Sequence, residues 1–222
     1  VQGYNPFIAT LIALLSGGVA GAITAILNTK AKISDLLSGI LTMTALYSLN
    51  LRIMGKPNIP LLNQPTVFSI IDENRQLYII VFILLSLIVK IFLDTFLKTQ
   101  MGFALRATGD NPQMVRSQGV NTDITKTIGL ILSNSLVAFS GALVAQYQGF
   151  ADVGMGVGTI VAGLAAVIIG ESLFGSATIF MSTAGVLFGS FLYRYSIALV
   201  LSSPLAKASD LKLFTAILVI IA

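Results

Sequence analysis

Long apolar runs separated by short polar breaks dominate the pattern of the chain. Four of the runs reach the length of about 20 residues that a membrane-spanning helix needs, and they cover residues 7–27, 77–97, 128–150 and 177–202. Two shorter runs cover residues 36–51 and 158–170, and a last one begins at Leu213. The pattern predicts an all-α fold: a polytopic transmembrane helical bundle with short or interrupted segments, forming one domain over residues 1–222. Because the chain starts at Val1 and its last run holds ten residues, we expect both ends to be truncated.

The composition agrees with a membrane protein and excludes several kinds of chemistry. Charged residues make up 10% of the chain, against roughly 25% in soluble domains. The sequence has no Cys and no His, which excludes disulfides, thiolate or imidazole metal sites and a Ser-His-Asp triad. Its one Gly-Lys pair, Gly55-Lys56, is followed by Pro57 and therefore lacks the pattern of a phosphate-binding P-loop. A membrane enzyme would have to rely on Asp/Glu or Ser/Lys chemistry, and no such pair is clustered in the sequence. We therefore expect no enzymatic activity, no metal and no cofactor on this chain.

The basic residues predict which breaks lie on the cytoplasmic side. The most basic break runs from Lys98 to Lys126, and the break over residues 28–33 holds two further lysines. The proline-rich break over residues 56–76 has balanced charges. Because cytoplasmic loops are enriched in Lys and Arg, we place the two basic breaks inside and the proline-rich break outside, which requires residues 36–51 to cross the membrane. The same rule explains the net charge of +4 without a nucleic-acid partner.

Small and polar residues on the helices indicate contact with protein or water rather than lipid. Small residues at four-residue spacing allow close helix packing in membranes, and the candidates for such packing are Gly158, Ala162, Ala166, Gly170, Gly185 and Gly189. Candidates for lining a transport pathway are Thr42, Ser48, Asn134, Gly141 and Gln148. Lys90 and Asp94 are four residues apart and share a helix face, so they are placed to pair. We expect Lys90 to extend its ammonium group towards the membrane surface.

The break over residues 98–127 contains a short helix with clear start and stop signals. Asn111 is a favourable N-cap, Pro112 suits the first helical position, and Gly119 is a natural terminator. These signals predict a helix over residues 112–118, and Thr122 or Asp123 is expected to cap the next helix. Two interpretations remain open: a surface turn that lies on the lipid headgroups, or a rigid docking element for a cytoplasmic partner.

Several segments resemble the permease subunits of ABC importers of the branched-chain amino acid and ribose class. The residues that carry the resemblance are GFALRATGDNP (102–112), QGVNTD (118–123), SGALVAQYQGFAD (140–152) and GLAAVIIGE (163–171). The segment TALYSLNLRIMG (44–55) resembles the subgroup of tryptophan and related amino-acid permeases. The resemblance covers most of the chain, and by comparison with this family we expect a first helix to be missing and the last to be incomplete.

The resemblance implies a set of partners and a mode of action. Two permease copies, a homodimer in the simplest case, would form the pathway in a bacterial plasma membrane. Two cytoplasmic ATP-binding subunits, which carry ATP and Mg, would dock onto coupling helices, and an extracellular binding protein would deliver the substrate. The coupling residues then map onto Asn111, Pro112, Gln113, Met114, Val115, Arg116 and Gln118.

The sequence leaves other functions and substrates open. An ATP-independent transporter or channel would need ion-coupling carboxylates at depth, and Asp35, Asp94 and Glu171 stand at the ends of segments. A purely structural subunit would explain the small-residue packing but not the capped helix. Because few charges face the predicted pathway, we expect a small neutral or zwitterionic solute. By resemblance it is an amino acid, with a sugar or nucleoside as the alternative.

Overall fold

The computed structural model describes residues 5–62, 64–70, 75–156, 158–175 and 177–202. The chain forms two compact units. Unit 1 comprises Val1–Leu85 and Lys98–Met155, and unit 2 comprises Ser86–Leu97 and Gly156–Ala222. The apolar run predicted from Leu213 lies outside the described residues.

Helices account for most of the described chain. In order, the elements are α1 (Pro6–Thr29), α2 (Asp35–Met54), β1 (Asn58–Pro60), a 3₁₀ helix (Val67–Ile70), α3 (Arg75–Leu97), α4 (Gln100–Asp110), α5 (Pro112–Ser117), α6 (Thr122–Gln148), β2 (Phe150–Asp152), α7 (Thr159–Phe174) and α8 (Ile179–Ser202). Among the described residues, five helices are long and apolar enough to cross a membrane: α1, α2, α3, α6 and α8. The predicted all-α, multi-pass bundle is confirmed, with one short strand pair added.

Two predicted element boundaries are wrong for a physical reason. The run over residues 36–51 is not a short segment, because α2 has 20 residues and extends through Asp35 in its first turn and Arg52 in its last. Helix α6 starts at Thr122, six residues before its predicted apolar run over residues 128–150. Neither Thr122 nor Asp123 caps it; the Asn121 carboxamide oxygen accepts from the amide of Asp123 at 3.0 Å.

Glycines let α1 and α6 pack backbone to backbone in unit 1. A methyl group built on Gly17 would lie 2.5 Å from the Ala138 Cβ, and one on Gly21 would lie 2.8 Å from the Leu130 carbonyl carbon. Real side chains do not tolerate such distances, so only glycine permits this approach. In membranes the lipid tails are as apolar as the side chains, so the hydrophobic effect does not drive helices together. Close contact through small residues is then a usual way for helices to associate.

The same device joins α7 and α8 in unit 2. A methyl group on Gly170 would lie 2.9 Å from the Val186 amide nitrogen, and one on Gly189 would lie 2.7 Å from the Gly170 nitrogen. Gly185 and Ala166 complete this contact. Gly158 lies outside it as the N-cap of α7, in the left-handed conformation with φ of 88°.

A short antiparallel strand pair closes one end of unit 1. Asn58 of β1 pairs with Asp152 of β2, and the Asn58 amide donates to the Asp152 carboxylate at 3.2 Å. The proline-rich break therefore meets the carboxyl end of α6. At the opposite end of α6, Lys126 Nζ lies 3.6 Å from Asp35 Oδ1, beside the first basic break. The two basic breaks thus share one end of unit 1, as the predicted topology requires.

Candidate coupling site

Helix α5 is short and capped at both ends. The Asn111 side chain accepts a hydrogen bond from the Met114 amide at 3.0 Å, and Pro112 occupies the first helical position. Gln118 is the C-cap rather than a helical residue, so the helix is one residue shorter than the prediction. Gly119 follows with φ of 84°, a conformation in which glycine avoids the steric cost of a Cβ.

Arg116 fastens α5 to the first turn of α6. Its Nε donates to the Thr122 hydroxyl at 2.6 Å, and its Nη2 donates to the Asp123 carboxylate at 3.2 Å. Val115 is buried, whereas Met114 on the neighbouring position is 57% exposed. The helix is therefore anchored by one face and presents Met114, together with Gln113, to its surroundings.

Helix α4, which the sequence reasoning missed, supports the same site. The Thr108 hydroxyl lies 3.0 Å from the Thr125 hydroxyl of α6, and both residues are buried. Gly129 faces the Leu105 side chain. The signal that predicts α4 is Thr99, a favourable N-cap residue whose hydroxyl accepts from the Gly102 amide at 3.2 Å. Together α4 and α5 pack against the start of α6.

The five pathway candidates do not share one kind of environment. Thr42 is buried between α1 and α2, where its hydroxyl lies 2.9 Å from that of Thr24. Asn134 is half-buried and donates to the Leu130 carbonyl at 2.8 Å. Ser48, Gly141 and Gln148 lie on the exposed surface of the chain. Their role in a pathway stays a prediction.

The buried amide of α6 is Gln146, which the sequence reasoning missed. Its Nε2 donates to the Thr10 hydroxyl at 2.9 Å, and its Oε1 accepts from the Val67 amide at 2.9 Å. No local signal singles it out, because at about 100° per residue Gln148 lies closer to the Asn134 face of the helix than Gln146 does. Next to it, four aromatic rings form a cluster with centroids 5.1–6.2 Å apart: Phe68, Tyr78, Phe82 and Tyr147.

A charged pair lies inside a span in unit 2. Lys90 Nζ and Asp94 Oδ2 are 2.6 Å apart, and the Thr183 hydroxyl donates to Asp94 Oδ1 at 2.6 Å. The Lys90 ammonium also lies 3.8 Å from the centre of the Phe180 ring. Lys90 is only 9% exposed. The expectation that Lys90 extends to the membrane surface is therefore wrong, because Asp94 and Phe180 satisfy its charge within the protein.

Comparison with known proteins decides the family. The sequence profile described as "Branched-chain amino acid transport system / permease component" matches residues 1–222. The chain belongs to this permease family. The resemblance to ABC importer permeases is thereby confirmed, and permease components of this family are transport proteins rather than catalysts.

Individual relatives agree with this assignment. The permease is 48% identical over 220 residues to a tyrosine transport system permease protein of Clostridioides difficile (strain R20291), covering 99% of this chain and 72% of the relative. It is 36% identical to an uncharacterized protein of Rickettsia prowazekii (strain Madrid E), covering 77% of this chain and 60% of the relative. It is 28% identical to an autoinducer 2 import system permease protein of Yersinia pestis (strain Pestoides F), covering 86% of this chain and 53% of the relative. No solved structure matches the chain significantly.

Proposed function

We propose that this permease is the membrane subunit of an ATP-driven importer for an amino acid, working as a pair with a second copy in a bacterial plasma membrane. The observation that carries the proposal is α5, a capped helix that is anchored through Val115 and Arg116 and presents Met114. Family membership supports the transport role. The 48% identical tyrosine permease supports an amino acid, most simply an aromatic one, as the substrate.

In this proposal α5 is the element on which the ATP-binding subunit acts. The partner binds ATP and Mg, and its closure displaces α5. Because Arg116 bonds to Thr122 and Asp123, a displacement of α5 pulls on the start of α6 rather than only bending a loop. The permease then needs only two packing states of different energy, which its partners bias. An extracellular binding protein delivers the substrate at the opposite end.

Substitution of Met114 by Asp tests the coupling role. A carboxylate at the exposed tip of α5 would lose its hydration when a protein partner covers it. Burial of an unpaired charge has a large free-energy cost, so the interface would be destabilised. We expect the ATPase activity of the reconstituted complex to lose most of its stimulation by the substrate-loaded binding protein, with assembly of the membrane subunits unchanged. Met101→Asp on α4 is the matched control, since Met101 is also exposed. Stimulation at the wild-type level in Met114→Asp would contradict the proposal.

The energy source and the substrate are tested by uptake. Proteoliposomes that contain the complex, the loaded binding protein and ATP on the cytoplasmic side should accumulate labelled tyrosine. Vesicles loaded with a non-hydrolysable ATP analogue should not. Equal uptake without hydrolysis would favour an ATP-independent transporter, and uptake of ribose in place of tyrosine would assign the sugar alternative.

A further inference from the structure

A basic cavity lies between the α1–α2 connection, α5 and the start of α6. We call it the basic mouth; its volume is about 440 Å³, and it is lined by Asn28, Lys32, Arg116, Asp123 and Lys126. Three cations thus face one carboxylate in this space. All of these residues belong to unit 1 and to the end that we assign to the cytoplasmic side.

The cations of the basic mouth are unequally neutralised. Arg116 pairs with Asp123, and Lys126 lies 3.6 Å from Asp35. Lys32 has no ion-pair or hydrogen-bond partner among the described residues. Its φ of 53° lies in the left-handed region, which is unusual for a residue with a side chain. Counting Asp35, the mouth keeps one positive charge in excess, and Lys32 is the cation free to meet a ligand.

A second, more apolar cavity continues from the basic mouth. We call it the apolar cleft; its volume is about 350 Å³, and Leu105, Gly109, Gly129 and Leu130 line it. It shares Asn28 and Lys126 with the mouth. Asp35, Ser38 and Thr108 also line it, and their side chains are already engaged. Thr108 bonds to Thr125, Ser38 donates to the Asp35 carbonyl, and the Asp35 carboxylate contacts Asn28 and Lys126. A Cβ at Gly109 would meet nothing within 4 Å, so space remains beside it.

We propose that the basic mouth and the apolar cleft together bind one anionic phospholipid of the inner leaflet. The lipid phosphate lies at Lys32 and Arg116, and an acyl chain lies along Leu105 and Leu130. Basic pockets between helices on the cytoplasmic side suit anionic headgroups. An acidic side chain of a soluble partner would fill the mouth but would leave the cleft empty, so the joined cavities favour a lipid. The bound lipid bridges the α1–α2 connection to α5.

The headgroup arm of the test uses native mass spectrometry of the complete permease in detergent with palmitoyl-oleoyl phosphatidylglycerol. Lys32→Gln should weaken the retained lipid adduct about fivefold, the factor that corresponds to the loss of one cation at the membrane surface. Lys30→Gln is the matched control, because Lys30 is in the same connection but does not line the cavity. Equal affinity in wild type and Lys32→Gln, or an equal loss in Lys30→Gln, would overturn the proposal.

The acyl-chain arm separates a lipid from a free phosphate. Gly109→Leu should fill the apolar cleft and release the phosphatidylglycerol adduct, whereas Gly39→Leu on α2, where a Cβ also meets nothing within 4 Å, should retain it. Millimolar inorganic phosphate should not displace the lipid. Displacement by phosphate with no effect of Gly109→Leu would overturn the lipid in favour of a free anion. Unchanged lipid binding with lost ATPase co-purification in Lys32→Gln would assign the mouth to an acidic partner instead.

Discussion

The ion pair inside α3 allows a quantitative test of how unit 2 is held together. Lys90 and Asp94 are nearly buried, 2.6 Å apart, and the Thr183 hydroxyl binds the same carboxylate. Lys90→Met removes the cation but leaves the Asp94 carboxylate, with its hydrogen bond from Thr183, in the same nearly buried position. Removal of one partner from a buried pair costs about 3–5 kcal/mol, because the remaining charge loses its counter-ion. Phe180 adds to this cost, since its ring face binds only the cation.

The double variant Lys90→Met/Asp94→Leu should be less damaging than Lys90→Met. It removes both charges together, so the loss that remains is that of the hydrogen bonds to Asp94, such as the one from Thr183, at about 1 kcal/mol each. The unfolding free energy is measured by titration with SDS in mixed micelles. Because the chain has no Trp, unfolding is followed by far-UV circular dichroism. A double variant as unstable as the sum of the two single variants would refute this reasoning, as would a Lys90→Met variant of wild-type stability.

Two further substitutions address packing, each with a control on the same helix. Gly170→Val should destabilise the α7–α8 contact by about 1–3 kcal/mol through overpacking, seen as a lower midpoint in the same SDS titration, while Gly163→Val should not, since a Cβ there meets nothing within 4 Å. Gln146→Leu leaves the Val67 amide unpaired and removes the hydrogen bond that the Thr10 hydroxyl accepts, at a cost of about 1–3 kcal/mol. Gln148→Leu on the exposed surface should cost less than 0.5 kcal/mol, roughly the usual size of a surface change; equal losses in the two variants would contradict the assignment of Gln146.

The sequence predicts the spans and α5 because their signals are local. An apolar run of sufficient length needs no partner to be recognised, and the caps Asn111 and Gly119 act within their own turn. By contrast, β1 and β2 lie about 90 residues apart and have three residues each, so no local sequence signal predicts that they pair. The extent of α2 also escaped, because charged residues at helix ends look like breaks in a hydropathy pattern.

The site is predictable in position but not in its contacts. Sequence alone indicates a capped helix over residues 112–118, yet the bonds of Arg116 to Thr122 and Asp123 depend on how the chain turns after Gly119. The choice between Gln146 and Gln148 depends on the crossing of α1 and α6, which Gly17 and Gly21 set. A pattern of polar residues along the sequence does not show which of the two amides faces α1, because that depends on how the two helices cross.

The ties along α6 have a mechanical consequence for unit 1. Lys126 and Thr125 connect its first turns to neighbouring elements, Gly17 and Gly21 bring α1 against its middle, and Gln146 and β2 connect its far end. Since these ties are spread over its whole length, α6 would move together with its neighbours when a partner displaces α5, as proposed above. At 1.5 Å per residue α6 is about 40 Å long, so a tilt of about 5° about its first turn would move the strand pair by about 3.5 Å. The displacement that a cytoplasmic partner imposes on α5 would in this way reach the opposite membrane surface.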